Sequence, residues 1–452
     1  MNRELSKKYG LPTAIAMVVG VVIGSGIFFK TESVLAVSGG NVGVGIAALL
    51  IVGAIMIICA YTFSILAGRH GHVGGVVDYA EAEVGPGYAY GMGWFVSTIY
   101  FPCITSVLIW LSAMYTCQLL GIPDASTGGG CLAIAAFYLV VLMVLNSLAP
   151  VLAGKVQVST TVIKLIPLLV MAVVGIVRGL VDGTLAGNFS FEGISVGSGS
   201  GSLLMTACVA MAFSYEGWII ATSINAELHN AKKTLPLALV VGSIVVIAVY
   251  VLYYLGINGS ITVEDLLVQG SAQAYVNIFG GIMGKILVLF IVISCLGTSN
   301  GLMAAASRGI YALAARNEGP APKLFSAVDP TTGMPHNSVF FGALTVAFWM
   351  LYFYGGPLSG WFGPISFDSS ELPIITLYAG YIPMFIMMMR KERDLHPVKR
   401  FVMPALSICG CIFMVAAAII GHGIHVLWYL LFFAVIMAVG LLLRGKDYQK
   451  PE

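Results

Sequence analysis

The sequence predicts an all-α membrane protein of twelve transmembrane helices, two of them interrupted near the middle. Three observations carry this. Hydrophobic residues make up 59% of the 452 positions and charged residues only 9%, against about 25% charged in a soluble domain. The 42 charged side chains are too few to coat a water-facing surface. Twelve apolar runs recur along the chain, most of them near the roughly 20 residues a helix needs to cross a bilayer. Finally, 54 glycines and 18 prolines suit membrane helices that pack closely or break. A net charge of +2 offers no field for nucleic acid. The eight cysteines lie in or beside apolar runs, without a CxxC pair or histidine company. They read as small core residues, so no metal, cofactor or disulfide framework is expected.

The first run, 12–37, follows Arg3, Lys7 and Lys8. Cleavage as a signal peptide is rejected, because apolar character resumes at Ile27-Phe28-Phe29 and further spans follow. Its middle is Gly24-Ser25-Gly26, and neither half could cross a bilayer alone. The second run is 43–67; the third, 88–120, is long enough to tilt or project beyond the bilayer. Run 131–149 is the fourth, and 156–180 the fifth. The fifth holds Lys164 nine residues beyond Lys155, roughly 13 Å along a helix and near mid-membrane. Gly197 to Ser202 alternates glycine and serine and reads as a flexible linker. Run 203–228, the sixth, is interrupted at Phe213-Ser214-Tyr215-Glu216-Gly217-Trp218. Then come 236–257, the long 280–314, 338–354, 372–389, 401–420 and 425–443.

Placing the N-terminus in the cytoplasm puts eighteen of the 22 lysines and arginines inside, the asymmetry expected of cytoplasmic loops. Lys30, Arg178 and Lys285 fall on or near the outer side, and Lys164 within a span. Residues 1–11 and 444–452 are then cytoplasmic termini of a multi-pass plasma-membrane protein. No stretch between spans exceeds roughly 25 residues and no GxxxxGK[ST] motif occurs, so an ATP-binding domain is excluded. No metal cluster or Ser/His nucleophile pair lies within the spans, so an enzyme is not expected; a channel or intramembrane enzyme is a remote alternative.

Unwinding at a glycine frees N–H and C=O groups that lipid cannot satisfy, so such a break must line a polar cavity. The N–H groups opening the second half of helix 1, with Ser25, form an anion site. Carbonyls freed from both breaks accept bonds from an ammonium. A carboxylate and an ammonium one α-carbon apart describe an amino acid. The blander reading of Gly24-Ser25-Gly26 is a close helix-packing patch. The second break, five helices later, favours the functional one: helices 1–5 and 6–10 then form equivalent, inverted units spanning 12–180 and 203–389, with 401–443 as two further helices.

Only Lys164 and Glu216 fall deep within spans, where charge is expensive and usually functional. Lys164 is expected to replace a coupling cation or to exchange a proton; its bland reading is a buried lysine satisfied by carbonyls. Glu216 is read as shaping substrate charge preference, binding a proton, or facing water in the open pathway. Phe213 and Trp218 are candidate gates, with plain packing as the alternative for each. Ser294 and Thr298, near Ser299 and Asn300 in helix 8, are candidates for a secondary cavity or for bridging helices.

These residues carry a likeness. Gly24-Ser25-Gly26-Ile27-Phe28, Gly74-Gly75 to Tyr79 with Gly85-Pro86, Lys155-Val156-Gln157 with Lys164-Leu165, Phe213 to Trp218, Glu227-Leu228-His229-Asn230, and Ser294-Cys295-Leu296-Gly297 with Asn300-Gly301 and Ser307-Arg308 form one ordered set. The sequence resembles the amino acid–polyamine–organocation superfamily, and within it the L-type amino acid transporters and their bacterial relatives. The resemblance implies a LeuT-like fold of two inverted five-helix repeats plus two helices. It implies that substrate carboxylate contacts Ser25 and Gly26, beside Gly24, and that the amine contacts carbonyls of Val22, Phe213 and Glu216, next to Gly217. It implies that Phe213 is a gate and that Lys164 stands near the place of an ion. The implied activity is sodium-independent exchange, an antiporter; small neutral L-amino acids are the expected substrates, because the helix 6 break has Ser214 beside Gly217 and no deep apolar slot. Many members carry a small residue where Glu216 stands, which speaks against purely apolar substrates; the alternative is proton-coupled symport, or exchange of cationic amino acids attracted by Glu216. The outer loop Gly121 to Gly130 has no cysteine of the kind that links a heavy chain, so a monomer without a disulfide-linked partner is expected, contacting only substrate and membrane lipid.

Overall fold

A computed structural model describes residues 10–24, 26–69, 75–189, 200–219, 228 and 230–445. These form helices and connecting segments, with no strand element among the described residues. Helix breakers set many of the boundaries. α1 (Leu11–Val22) admits Pro12 in its first turn, where no N–H is needed, and stops at Ile23-Gly24; α2 (Gly26–Val37) resumes the run. Each half has 12 residues, about 18 Å at the helical rise, too short to cross alone. α3 (Val42–Arg69) is continuous and α4 (Val76–Glu83) is short. The third run is α5 (Pro86–Phe95), a π-helical turn at Val96–Tyr100, and α6 (Phe101–Leu120). Pro102 has no N–H to offer the Thr98 carbonyl. The Trp349 indole N–H takes its place at 2.8 Å.

After α7 (Gly129–Leu148) the expectation of one continuous fifth helix fails. The run divides into α8 (Pro150–Ile163) and α9 (Leu165–Val181), with the chain turning at Lys164. The cause is Pro167, four residues past Ile163: it cannot donate to the Ile163 carbonyl, and its ring crowds it. α10 (Thr184–Asn188) follows. α11 (Ser200–Ala212) includes residues 200–202, so that part of the expected linker is helical; Gly197 to Gly199 lie outside the described residues. The sixth run then leaves the α-helix as expected, through a 3-10 turn at Phe213–Tyr215 and an extended Glu216.

α12 (Ala231–Ser260) is followed by α13 (Val263–Phe279), which no apolar run announced. The Thr262 side chain accepts the Asp265 N–H at 3.2 Å and caps it. α14 (Gly281–Ala314), the short α15 (Pro322–Phe325) and α16 (His336–Phe353) precede α17 (Leu372–Lys391). Asp368 accepts the Ser370 and Glu371 N–H groups just ahead of α17. α18 (Met403–His422) and α19 (His425–Leu442) complete the chain.

Among the described residues nine helices are long and apolar enough to cross a membrane; the shorter apolar helices Leu11–Gly20, Leu165–Val181 and Leu203–Tyr215 belong to the three interrupted runs. Large side chains such as Val140, Val173 and Leu431 are exposed, as hydrocarbon contact requires. The chain is an integral, multi-pass membrane protein.

It divides into two compact units. One comprises Met1–Ala89, Leu168–Gly280 and Ile374–Gly421; the other Tyr90–Pro167, Gly281–Pro373 and His422–Glu452. Each therefore draws helices from both halves of the sequence. In the first unit, the Thr62 and Ser407 hydroxyls meet at 2.8 Å between α3 and α18, and the Tyr215 hydroxyl donates to the Leu49 carbonyl at 2.9 Å. In the second, Asn300 donates to the Ala153 carbonyl at 3.0 Å and accepts from Asn146 at 2.9 Å, joining α14, α8 and α7. Asn300 thus bridges helices.

Candidate functional site

The two helix breaks expected to bind substrate belong to the same unit, and they touch. α2 begins at Gly26, where a Cβ would lie 2.9 Å from Ser214 Cα and 3.0 Å from the Phe213 carbonyl oxygen. Only glycine lets the two backbones approach so closely. One residue beyond the extended Glu216, Gly217 adopts φ +104°, a conformation open to glycine and strained for other residues. The two interruptions are thus held by glycines at matching places, Gly26 opening one helix half and Gly217 turning the chain out of the other.

A residue that the sequence did not single out ties them together. The Tyr250 hydroxyl of α12 lies 3.0 Å from the Val22 carbonyl and 2.8 Å from that of Ser214. Its single proton serves one carbonyl at a time. The Tyr215 and Tyr250 rings stand 5.2 Å apart. The Val22 carbonyl, expected to meet a substrate amine, therefore shares a protein hydroxyl with the Ser214 carbonyl here. The only sequence signal was the tyrosine cluster Tyr250, Tyr253, Tyr254 in an otherwise aliphatic helix.

The remaining residues of the break divide by environment. Phe213 is buried, and its ring centroid lies 5.4 Å from the Lys30 ammonium. Lys30 was assigned to the outer side by the sequence reading; it is 2% exposed inside α2, and Glu32 accepts the Ser271 N–H nearby. The inventory of enclosed ionisable groups therefore extends beyond Lys164 and Glu216. Glu216 folds back so that its carboxylate accepts the Gly217 N–H at 3.0 Å. Trp218 is 1% exposed and packs between Phe63 and Tyr381, each at 5.7 Å between ring centroids. The Ser214 hydroxyl is buried with no hydrogen-bond partner among the described residues. Ser25 lies outside the described residues.

Lys164, Ser294 and Thr298 belong to the second unit. Lys164 is 4% exposed at the turn between α8 and α9. One turn earlier, Thr160 packs against Gly297 of α14 with no room for a larger residue. Thr298 donates to the Ser294 carbonyl at 3.1 Å, and the buried Ser294 hydroxyl makes no hydrogen bond among the described residues. No group of three His, Cys, Asp or Glu side chains could hold a metal among the described residues.

The sequence profile of the amino acid permease family matches residues 9–441. The chain belongs to that family. The permease is 27% identical over 429 residues to the serine/threonine exchanger SteT of Bacillus subtilis, covering 93% of this chain and 92% of that one. It is 28% identical over 446 residues to the human b(0,+)-type amino acid transporter 1, covering 97% and 87%. To the human cystine/glutamate transporter it is 27% identical over 420 residues, covering 92% and 81%. It is thus a member of the amino acid–polyamine–organocation superfamily akin to the L-type transporters, and it transports amino acids; the family and these relatives are transporters, not enzymes.

Proposed function

We propose that the permease is a sodium-independent antiporter of small neutral L-amino acids, serine and threonine foremost, working by alternating access. The observation that carries this reading is the contact of the two helix breaks through Gly26 and the Phe213-Ser214 backbone. The unpaired N–H groups that open α2 suit a substrate carboxylate. Carbonyls of Val22, Phe213 and Glu216 suit its amine, with Tyr250 yielding the Val22 carbonyl when the amine arrives. The unpartnered Ser214 hydroxyl favours a small polar side chain. Lys164, fixed in the second unit, is assigned the place of a coupling ion, with Ser294 and Thr298 as its secondary cavity. Phe213, beside Lys30, and Trp218 are assigned as gates. The similarity to a serine/threonine exchanger supports the substrate class.

With this goes the full topology: twelve spans in a LeuT-like arrangement of two inverted five-helix repeats plus two helices, both termini cytoplasmic. Support for the orientation comes from Arg69, Lys233 and Lys399, which line one cavity and so lie on one side, where the basic residues concentrate. The absence of cysteine between Gly121 and Gly130 supports a monomer that needs no heavy chain. A second reading rests on Glu216, an acidic side chain at the break: exchange of cationic amino acids, or proton-coupled symport.

Purified protein in liposomes separates these. Labelled serine uptake should require internal amino acid and ignore sodium and proton gradients. Uptake into empty liposomes driven by an inward proton gradient would replace antiport by symport, and preferential exchange of lysine would favour the cationic reading.

A further inference from the structure

The C-terminal end of α3, the N-terminal end of α12 and the segment joining α17 to α18 enclose a cavity of about 570 Å³, within the range of ligand pockets. All its walls belong to the first unit. Its lining becomes cationic toward one end, while Tyr61 and Ser64 add polar groups beside the apolar wall. On α3, Ile65 is followed one turn later by Arg69; on α12, Leu237 is preceded one turn earlier by Lys233. Residues four apart share a helix face, so both helices present an apolar side chain toward the membrane interior and a cation one turn nearer the water. Val240 extends the apolar part, and Lys399 adds a third cation from the joining segment.

The charges are unequally committed. The Arg69 guanidinium donates to both Asp394 carboxylate oxygens, at 2.9 and 2.7 Å, and also pairs with Glu392. Nearby Lys391 and Arg400 donate to the Ala82 and Met389 carbonyls. The Lys233 and Lys399 ammonium groups make no ion pair or side-chain hydrogen bond among the described residues. Arg69 is thus matched by carboxylates, with Glu83 a third one near it, and the ammonium groups of Lys233 and Lys399 are left to meet an anion. Leu237 is 48% exposed, so the apolar wall opens on the hydrocarbon side.

We propose that this cavity binds an anionic phospholipid of the adjoining leaflet, cytoplasmic in the orientation proposed above: its phosphate between Lys233 and Lys399, its glycerol and upper acyl chains along Ile65, Leu237 and Val240. A free phosphate has no use for the apolar wall, and a zwitterionic lipid brings its own cation to two ammonium groups already lacking an anion. Basic recesses between transmembrane helices on the cytoplasmic side are a recurrent setting for anionic headgroups.

Native mass spectrometry of the full-length protein in detergent tests this with phosphatidylglycerol, phosphatidylcholine of the same chains, and inorganic phosphate as separate probes. Phosphatidylglycerol should bind roughly tenfold more tightly than phosphatidylcholine, as two surface cations allow. The Lys233→Ala/Lys399→Ala double variant should abolish that preference, Lys233→Arg/Lys399→Arg should keep it, and Lys323→Ala, an exposed lysine that does not line the cavity, should leave it unchanged. Equal retention of the two lipids by the wild type, or a preference that survives the alanine double variant, overturns the proposal. So does displacement of phosphatidylglycerol by inorganic phosphate alone at equal concentration, which would make this an ion site.

Discussion

Gly26 shows how much one missing methyl group decides at the residue scale. A Cβ at this position meets Ser214 Cα at 2.9 Å, and a backbone atom cannot rotate away as a side chain can. Overpacking of this kind costs about 1–3 kcal/mol, and here the movement would separate the two breaks. Gly26→Ala is expected to insert and purify normally yet lower serine exchange in liposomes by about tenfold or more; wild-type kinetics would show that the contact is dispensable. Gly24, Gly26 and Gly217 were legible in the sequence because a glycine inside a membrane run has a cost that must be recovered. Tyr250 was not. Three tyrosines crowd α12 within five residues, and at spacings of three and four they share one helix face, so the pattern does not say which of them reaches the breaks. Which one meets the Val22 and Ser214 carbonyls depends on the rotation of α12 against helices far away in sequence.

At the scale of elements, the division of the fifth span was legible but went unread. Pro167 stands three residues after Lys164, and proline inside an apolar run ends or kinks the helix a turn earlier. Apolar length alone hid it, because α8 and α9 together still measure a full span. Restoring the N–H with Pro167→Ala should let α8 and α9 join, slow amide hydrogen exchange around residues 163–167, and reduce turnover by displacing Lys164. Unchanged exchange and unchanged transport together would deny the proline its role. α13 was invisible for the opposite reason: it is too polar to register as a span and is held by contacts such as that between Glu32 and the Ser271 N–H. The joining segment after α17 gives a further element-scale prediction. The hydrogen bond from Arg69 holds the Asp394 carboxyl below its ordinary value of 3.8. A depressed carboxylate contributes stability above its ordinary pKa and loses it as pH falls through the lowered value. Asp394→Asn should therefore lower the melting temperature modestly and by the same amount at every pH from 5 to 8, the difference shrinking only below about pH 4. A difference that varies across neutral pH would assign the effect to another group.

At the scale of the whole molecule, the order of apolar runs was readable from one end of the sequence to the other, whereas their grouping was not. Each compact unit takes segments from both halves of the chain, and one apolar helix carries no label saying which distant helix it will pack against. The grouping sorts the functional candidates. Val22, Gly24, Gly26, Phe213, Glu216, Gly217 and Trp218 fall in one unit; Lys164, Ser294 and Thr298 fall in the other. If the first set recognises substrate and the second governs coupling, variants in the two should fail differently. Glu216→Gln should change which amino acids are exchanged, seen as altered KM ratios between serine and lysine, with turnover of the best substrate within about threefold of wild type, since binding common to ground and transition states acts mainly on KM. Lys164→Ala should leave those ratios alone and lower turnover, or make uptake respond to an imposed sodium or proton gradient, because removing a fixed cation empties the place assigned to a coupling ion. The decisive measurement is both parameters for both substrates, in both directions across the membrane. Should Lys164→Ala shift selectivity while Glu216→Gln alters gradient dependence, the division of labour between the two units is wrong, even if amino acid exchange itself stands.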